Sequence, residues 1–115
     1  MNSLKNKVNL IGNLGRDVEI KETKNGKKLV RFSLATNDSY KDKEGNKIVD
    51  TQWHNAIAWG KTAEMMALLL KKGNEVAIEG RLTYGSFQNK DGVTKYTTDI
   101  VVSAFHKLTR TPLTV

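Results

Sequence analysis

Trp53 and Trp59 stand six residues apart in a stretch, Ile48 to Trp59, that reads as a strand. An even spacing puts both indoles on one face, roughly 20 Å apart at about 3.3 Å per residue. Two flat π-surfaces at that separation could act as separate platforms for two bases of one extended nucleic-acid strand. Asn55 and Ile57 lie between them on that face, whereas Gln52, His54, Ala56 and Ala58 face the other way. The small Ala56 and Ala58 suit a barrel interior, which places the indoles outside or at a rim; core packing of the two tryptophans is the competing reading. Tyr40 and Phe87 approach polar hairpin tips and are surrounded by polar residues, so they are hard to bury, and Tyr84 is similar.

Cations supply the other half of this chemistry. Nineteen Lys and Arg against twelve Asp and Glu leave a net charge of +7, enough to attract a polyanion, although excess lysine also serves solubility. Lys5, Lys7, Lys21, Lys41, Lys43, Lys61, Lys71, Lys72, Lys90 and Lys95 are candidates for a phosphate track. Arg31 and Arg81 fall inside strands, where a cross-strand ion pair with Glu79 or Asp50 is an equal reading. Exposed aromatics beside cations are what sequence-independent single-strand binding requires, because every base has a π-face and every nucleotide a phosphate.

The case for catalysis is weak. His54 and His106 are the two histidines, too isolated for a metal or acid/base site. Asp17 and Glu19 share a strand face at i, i+2 and could hold Mg²⁺ for a nuclease, but a solvated strand face is the stronger reading. With zero cysteines, thiolate zinc sites, disulfides and thiol nucleophiles are excluded. No cofactor or metal is expected. Asn37-Asp38-Ser39 matches a glycosylation acceptor that means nothing without export. The chain shows no charged-then-apolar leader and no run of about 18 apolar residues, so the expectation is a cytoplasmic protein with no membrane association.

The elements that must position these residues follow from periodicity. Lys7 to Leu14 alternates as a first strand, bends between Gly12 and Gly15, and resumes through Val18 and Ile20. Lys24 to Lys27 carries an Asn-Gly signal for a tight hairpin with positive φ at both residues. Leu29 to Thr36 and Ile48 to Trp59 form a long hairpin across the polar tip Asp38 to Lys47. Ala63, Met66, Ala67 and Leu70 recur at helical spacing, predicting a helix over Thr62 to Lys72 capped by Gly73. Val76 to Leu82 and Thr94 to Leu108 are the last strands, joined across Asn89 to Gly92. This order predicts an all-β fold with one helix: a five-stranded Greek-key barrel of the oligonucleotide/oligosaccharide-binding (OB) type, with the helix between strands 3 and 4. The expected organisation is one domain over residues 1–110 with a short C-terminal end at 111–115.

Taken together, Leu10-Ile11-Gly12-Asn13-Leu14-Gly15-Arg16-Asp17, Phe32-Ser33-Leu34-Ala35-Thr36, Trp53-His54, Trp59-Gly60-Lys61-Thr62-Ala63-Glu64, Lys72-Gly73, Ile78-Glu79-Gly80 and Tyr96-Thr97-Thr98 resemble the bacterial single-stranded DNA-binding proteins, over about Leu4 to Leu108. The resemblance implies a non-enzymatic homotetramer wrapped by single-stranded DNA in replication, recombination and repair, and nucleoid-associated. It implies base stacking at Tyr40, Trp53, Trp59 and Phe87, phosphate contacts from Lys7, Lys21, Lys61, Lys71 and Lys72, and a subunit-interface role for His54. Three departures stand out. Relatives often carry Trp at the position of Tyr40 and Phe at that of Trp59, and some carry Arg at Asn55. The family usually continues into a flexible linker and an acidic tip that recruits replication and repair enzymes. Nothing acidic follows Asp99 here, so the expectation is either a short, tailless form or a chain whose tail has been removed, and recruitment of such enzymes has no support.

Overall fold

A computed structural model describes residues 4–108, so the expected C-terminal end at 111–115 lies outside the described residues. The elements are β1 (Val8–Leu14), β2 (Ile20–Glu22), β3 (Lys28–Lys41), β4 (Lys47–Trp59), α1 (Gly60–Leu69), β5 (Glu75–Gln88) and β6 (Thr94–Leu108). The strands run in the order β1-β5-β6-β4-β3-β2, and β1 also pairs with β3. That extra pairing closes the sheet, so the chain forms the expected barrel, which removes the open edges a flat sheet would leave. β2 is the short resumption of the first strand past Gly15. Counting it separately makes six strands and puts the helix between β4 and β5 rather than between strands 3 and 4.

Closure depends on β1 serving two partners. It pairs with β5 from Val8↔Gly80 to Asn13↔Glu75 and with β3 at Asn13↔Ala35 and Leu14↔Leu34. At the crossing the backbones come so close that a Cβ on Gly12 would run into the Ala35 carbonyl oxygen. Only glycine fits there. The core lies inside the barrel, with Leu34, Met66, Val30 and Val76 its largest fully buried side chains.

The helix covers one end of this core. Ala63, Met66 and Leu70 are buried and Ala67 half-buried, the apolar face that the spacing predicts. It starts two residues early and stops at Leu69, because Leu70 is already extended (φ −110°, ψ 143°). Gly73 therefore does not cap it. Gly73 has φ +87° and serves the following turn, donating its N–H to the Leu14 carbonyl at 3.0 Å.

The three hairpins share one turn. Gly26, Gly45 and Gly92 donate to the carbonyls of Thr23, Asp42 and Asn89 at 2.9, 3.1 and 3.0 Å, each at positive φ. Among the described residues no non-glycine has positive φ, so Asn25-Gly26 is not the expected two-residue turn with both residues left-handed. The loop is longer, a β-turn closed by one left-handed glycine. Side chains hold it in place: Asp42 Oδ1 accepts from the N–H of Glu44 and Asn46 at 2.9 and 2.8 Å, and Asn89 Oδ1 does the same for Asp91 and Val93 at 2.9 and 3.0 Å.

Two of these hairpins outrun the barrel. β3 and β4 pair without a slip from Leu29↔Trp59 to Lys41↔Lys47. β5 and β6 pair from Glu75↔Leu108 to Gln88↔Thr94 with one irregularity at Glu79/Gly80. Residues 37–41 and 84–88 are exposed on both strand faces, so the ends of both hairpins are arms standing in solvent.

Candidate nucleic-acid interface

The unbroken β3–β4 register keeps the parity of β4 intact, so Trp53 and Trp59 do project on one face. Trp53 is 61% exposed and Trp59 42%. Ala56 and Ala58, on the opposite parity, are buried at 3% and 0%. Core packing of the indoles is thereby overturned. Ile57 departs from the simple alternation, being buried although it shares the outer parity.

The two tryptophans border different clefts. Trp53 lines a cleft of about 750 Å³ that it shares with Asn55, Arg16, Lys21, Arg31 and Tyr96. Trp59 borders a second, of about 650 Å³, with Gly26, Lys27, Lys28, Lys61 and Glu64. Trp59 also occupies the junction where β4 ends and α1 begins, as the residue before the first helical one. Each indole thus sits in a hollow with ammonium or guanidinium groups around it, an arrangement that takes a base on the ring and a phosphate on the cations.

The indole of Trp53 has a seat. A Cβ built on Gly15 would lie 2.7 Å from Trp53 Cζ3 and 3.2 Å from Cη2. The six-membered end of the ring therefore lies against bare backbone, while the side chain as a whole stays exposed. Gly15 was expected to bend the strand, and the strand does end at Leu14. Supporting the indole is a second role that the sequence does not reveal.

Tyr40 and Phe87 are exposed as expected, but neither lines these two clefts. They stand apart, on the β3–β4 arm and the β5–β6 arm. Phe87 faces Lys95 across its arm.

The five lysines singled out divide. Lys21 and Lys61 line the first and second cleft respectively. Lys7 instead pairs with Glu79 at 2.8 Å. Lys71 and Lys72 are exposed beyond the helix and border neither cleft. Glu79 is thus engaged by Lys7, and neither Arg31 nor Arg81 forms an ion pair among the described residues. Lys28 pairs with Glu64 at 2.9 Å. That hydrogen bond, reinforced by the charges of Glu64 and Glu22 and opposed by slight desolvation, raises the Lys28 pKa above its ordinary 10.5.

His54 is half-buried, its Nε2 sharing a 2.9 Å hydrogen bond with Thr36 Oγ1 across the β3–β4 pair. Asp17 and Glu19 do not share a strand face, because residues 15–19 form the non-strand link between β1 and β2. Asp17 Oδ1 accepts the Lys72 N–H at 2.7 Å, tying that link to the segment after the helix. Among the described residues no cluster of three His, Asp or Glu could hold a metal, and no helix is long and apolar enough to cross a membrane.

Arg16, Arg31 and Tyr96 are the cleft residues that sequence reasoning left off its site. Arg31 did leave a signal: a cation on the outward parity of β3 between the buried Val30 and Phe32. Tyr96 left none, since its position beside Trp53 depends on how the arms diverge.

Comparison with known proteins identifies the family and the fold. The model of the "Single-strand binding protein family" matches residues 5–108. A single-stranded DNA-binding protein of Chlorobaculum tepidum is 48% identical over 104 residues, covering 90% of this chain and 64% of the relative. One from Xanthomonas campestris is 45% identical over 103 residues, covering 90% of this chain and 60% of the relative. The chain therefore spans less than two thirds of the length of these curated relatives. Among solved structures, a Plasmodium falciparum SSB in complex with ssDNA superposes with a TM-score of 0.81 at 28% identity, covering 95% of this chain and 100% of that one. A deletion mutant of the Thermus aquaticus single-stranded DNA binding protein gives 0.76 at 31% identity, covering 90% of this chain and 50% of that one.

Proposed function

Because this chain belongs to the single-strand binding protein family, we propose that it binds single-stranded DNA without reading its sequence and protects exposed strands during replication, recombination and repair. The observation that carries this reading is the pair of exposed indoles on one face of β4, each in its own hollow with cations beside it. Bases stack on Trp53 and Trp59, and further out on Tyr40 and Phe87, while Lys7, Lys21, Lys61, Lys71 and Lys72 contact phosphates. The mechanism is binding rather than catalysis: stacking contributes about 1–3 kcal/mol per base, the range found for single-strand binders as a class, and released counterions make affinity fall steeply with salt.

Assembly as a homotetramer, with His54 at a subunit contact, belongs to the same proposal. An exposed Ile11 on β1, above a shallow hollow lined by Leu10, Ile78 and Phe105, supports it, since apolar surface of that kind is suited to a partner. The location consistent with this role is the cytoplasm, at the nucleoid.

The test is a titration of tryptophan fluorescence with oligo(dT), oligo(U) and duplex DNA, with the mass of the assembly measured alongside. Oligo(dT) should quench the emission and duplex should not. Equal affinity for duplex and single strand would sink the proposal, and preference for oligo(U) would redirect it to RNA.

A further inference from the structure

One group of exposed apolar side chains answers to nothing in DNA binding. Met65, Leu68 and Leu69 of α1 are 48%, 76% and 43% exposed. Spaced i, i+3 and i+4, they meet on the helix surface as a single stripe. The stripe lies opposite the buried Ala63 and Met66, on the side turned away from β2, β3, β4 and β6, against which the helix packs. Glu, Lys or Gln would form this helix about as well as Leu and Met. Contiguous apolar side chains held in water instead mark a surface that gains by being covered.

The charge around the stripe is mainly of one sign. Lys61 stands about one turn before Met65, and Lys71 and Lys72 follow the end of the helix. All three are exposed, and none forms an ion pair among the described residues. Two carboxylates lie near them, and both are engaged. Glu64 is held by Lys28 at 2.9 Å, a pair with no net charge, and Asp17 Oδ1 accepts the Lys72 N–H at 2.7 Å. A cationic rim around an apolar strip is the complement of a segment that combines apolar anchors with carboxylates.

Other occupants fit less well. Aliphatic side chains offer no π-face, so a nucleic-acid strand could use the lysines but would gain little from the stripe. A second copy packed face to face would set lysines against lysines. A membrane surface takes up a whole apolar helix face, commonly with Trp or Phe on it, whereas most of the apolar side of α1 is already spent on the barrel core.

We infer that the outer face of α1 is a docking surface for an acidic amphipathic segment of a partner protein. Apolar side chains of that segment cover Met65, Leu68 and Leu69, and its carboxylates meet Lys61, Lys71 and Lys72. Three anchors make a small contact, so the association is weak and transient.

The probe is a labelled synthetic peptide of about 15 residues, long enough to form a helix, with leucines at helical spacing on one face and glutamates elsewhere. Its binding to the full chain is read by fluorescence anisotropy. The parent chain should bind it, more weakly as salt rises, and should not bind a counterpart with lysines in place of the glutamates. Leu68→Gln keeps every charge and a good helix former; it should weaken the peptide about tenfold or more, the burial of one leucine, with oligo(dT) affinity unchanged. Lys71→Gln combined with Lys72→Gln should flatten the salt dependence. No binding by the parent, or equal binding by Leu68→Gln, overturns the inference. A fall in oligo(dT) affinity in Leu68→Gln would make the stripe part of the DNA surface, and a fall in its assembly mass would make it a contact between copies. Either result overturns the proposal, as does flotation with phosphatidylglycerol vesicles that Leu68→Gln abolishes.

Discussion

Replacing Gly15 by alanine should damage DNA binding without damaging the fold. The added methyl would sit 2.7 Å from Trp53 Cζ3 and 3.2 Å from Cη2. Carbon atoms in ordinary contact lie about 3.5–4.0 Å apart, so the six-membered end of the indole must lift by about 1 Å. The backbone has no objection to the change. Gly15 is not one of the positive-φ glycines, and its N–H, which donates to the Ser33 carbonyl at 3.1 Å, is kept by alanine. At a tolerant site Gly→Ala even stabilises by about 0.4–1 kcal/mol, by restricting the unfolded chain. The melting temperature should therefore hold or rise slightly. Binding should weaken, because a tilted platform forfeits part of the roughly 1–3 kcal/mol that one stacked base contributes. The loss can at most equal that of Trp53→Ala, about 150-fold at the upper end of that range. The assay is oligo(dT) titration in a Trp59→Phe background, where Trp53 alone reports, together with the double-mutant cycle of Gly15→Ala and Trp53→Ala. If Gly15→Ala costs as much affinity without the Trp53 indole as with it, or leaves the emission of Trp53 in the free protein unchanged, the seat does not operate as argued.

Gly12→Ala should do the opposite, destabilising the barrel by about 1–3 kcal/mol or more, because its methyl meets the Ala35 carbonyl oxygen where β1 crosses to β3; thermal unfolding of the free protein checks this. Lys28 should hold its proton above its ordinary 10.5 because Glu64 hydrogen-bonds it, and Glu64→Gln should bring that pKa down, as read by NMR titration of the ammonium. The sign is that of a raised folded-state pKa: the pair's stabilisation is fully present below about 10.5 and is lost as pH rises through the higher folded value. The pair is exposed to solvent, so parent and Glu64→Gln should differ little in melting temperature at neutral pH and not at all at strongly alkaline pH.

Local periodicity determined much of this protein. Alternation in β4 settled which face carries Trp53 and Trp59, since a two-residue repeat is a property of the strand alone and the β3–β4 register never slips. The i, i+3, i+4, i+7 spacing of Ala63, Met66, Ala67 and Leu70 settled the helix and its buried side. The helix end was legible only to within a few residues, because Gly73 looks like a cap and its role is fixed by a hydrogen bond to Leu14, far away in the chain. The quoted motifs, read together, carried the family.

Tertiary structure decided what those residues meet. Whether Arg31 pairs with an acid or faces a cleft depends on sheet register, which sets Ile57 rather than an acid opposite it. Whether Gly15 merely bends a strand or also carries an indole depends on the β3–β4 sheet lying across it. The place of Tyr96 near Trp53 depends on β4 and β6 pairing briefly and then parting. These are contacts between segments distant in sequence, and they arise only once the barrel closes. A strand's own pattern states which way a side chain points, but the closure of the sheet states what stands opposite it.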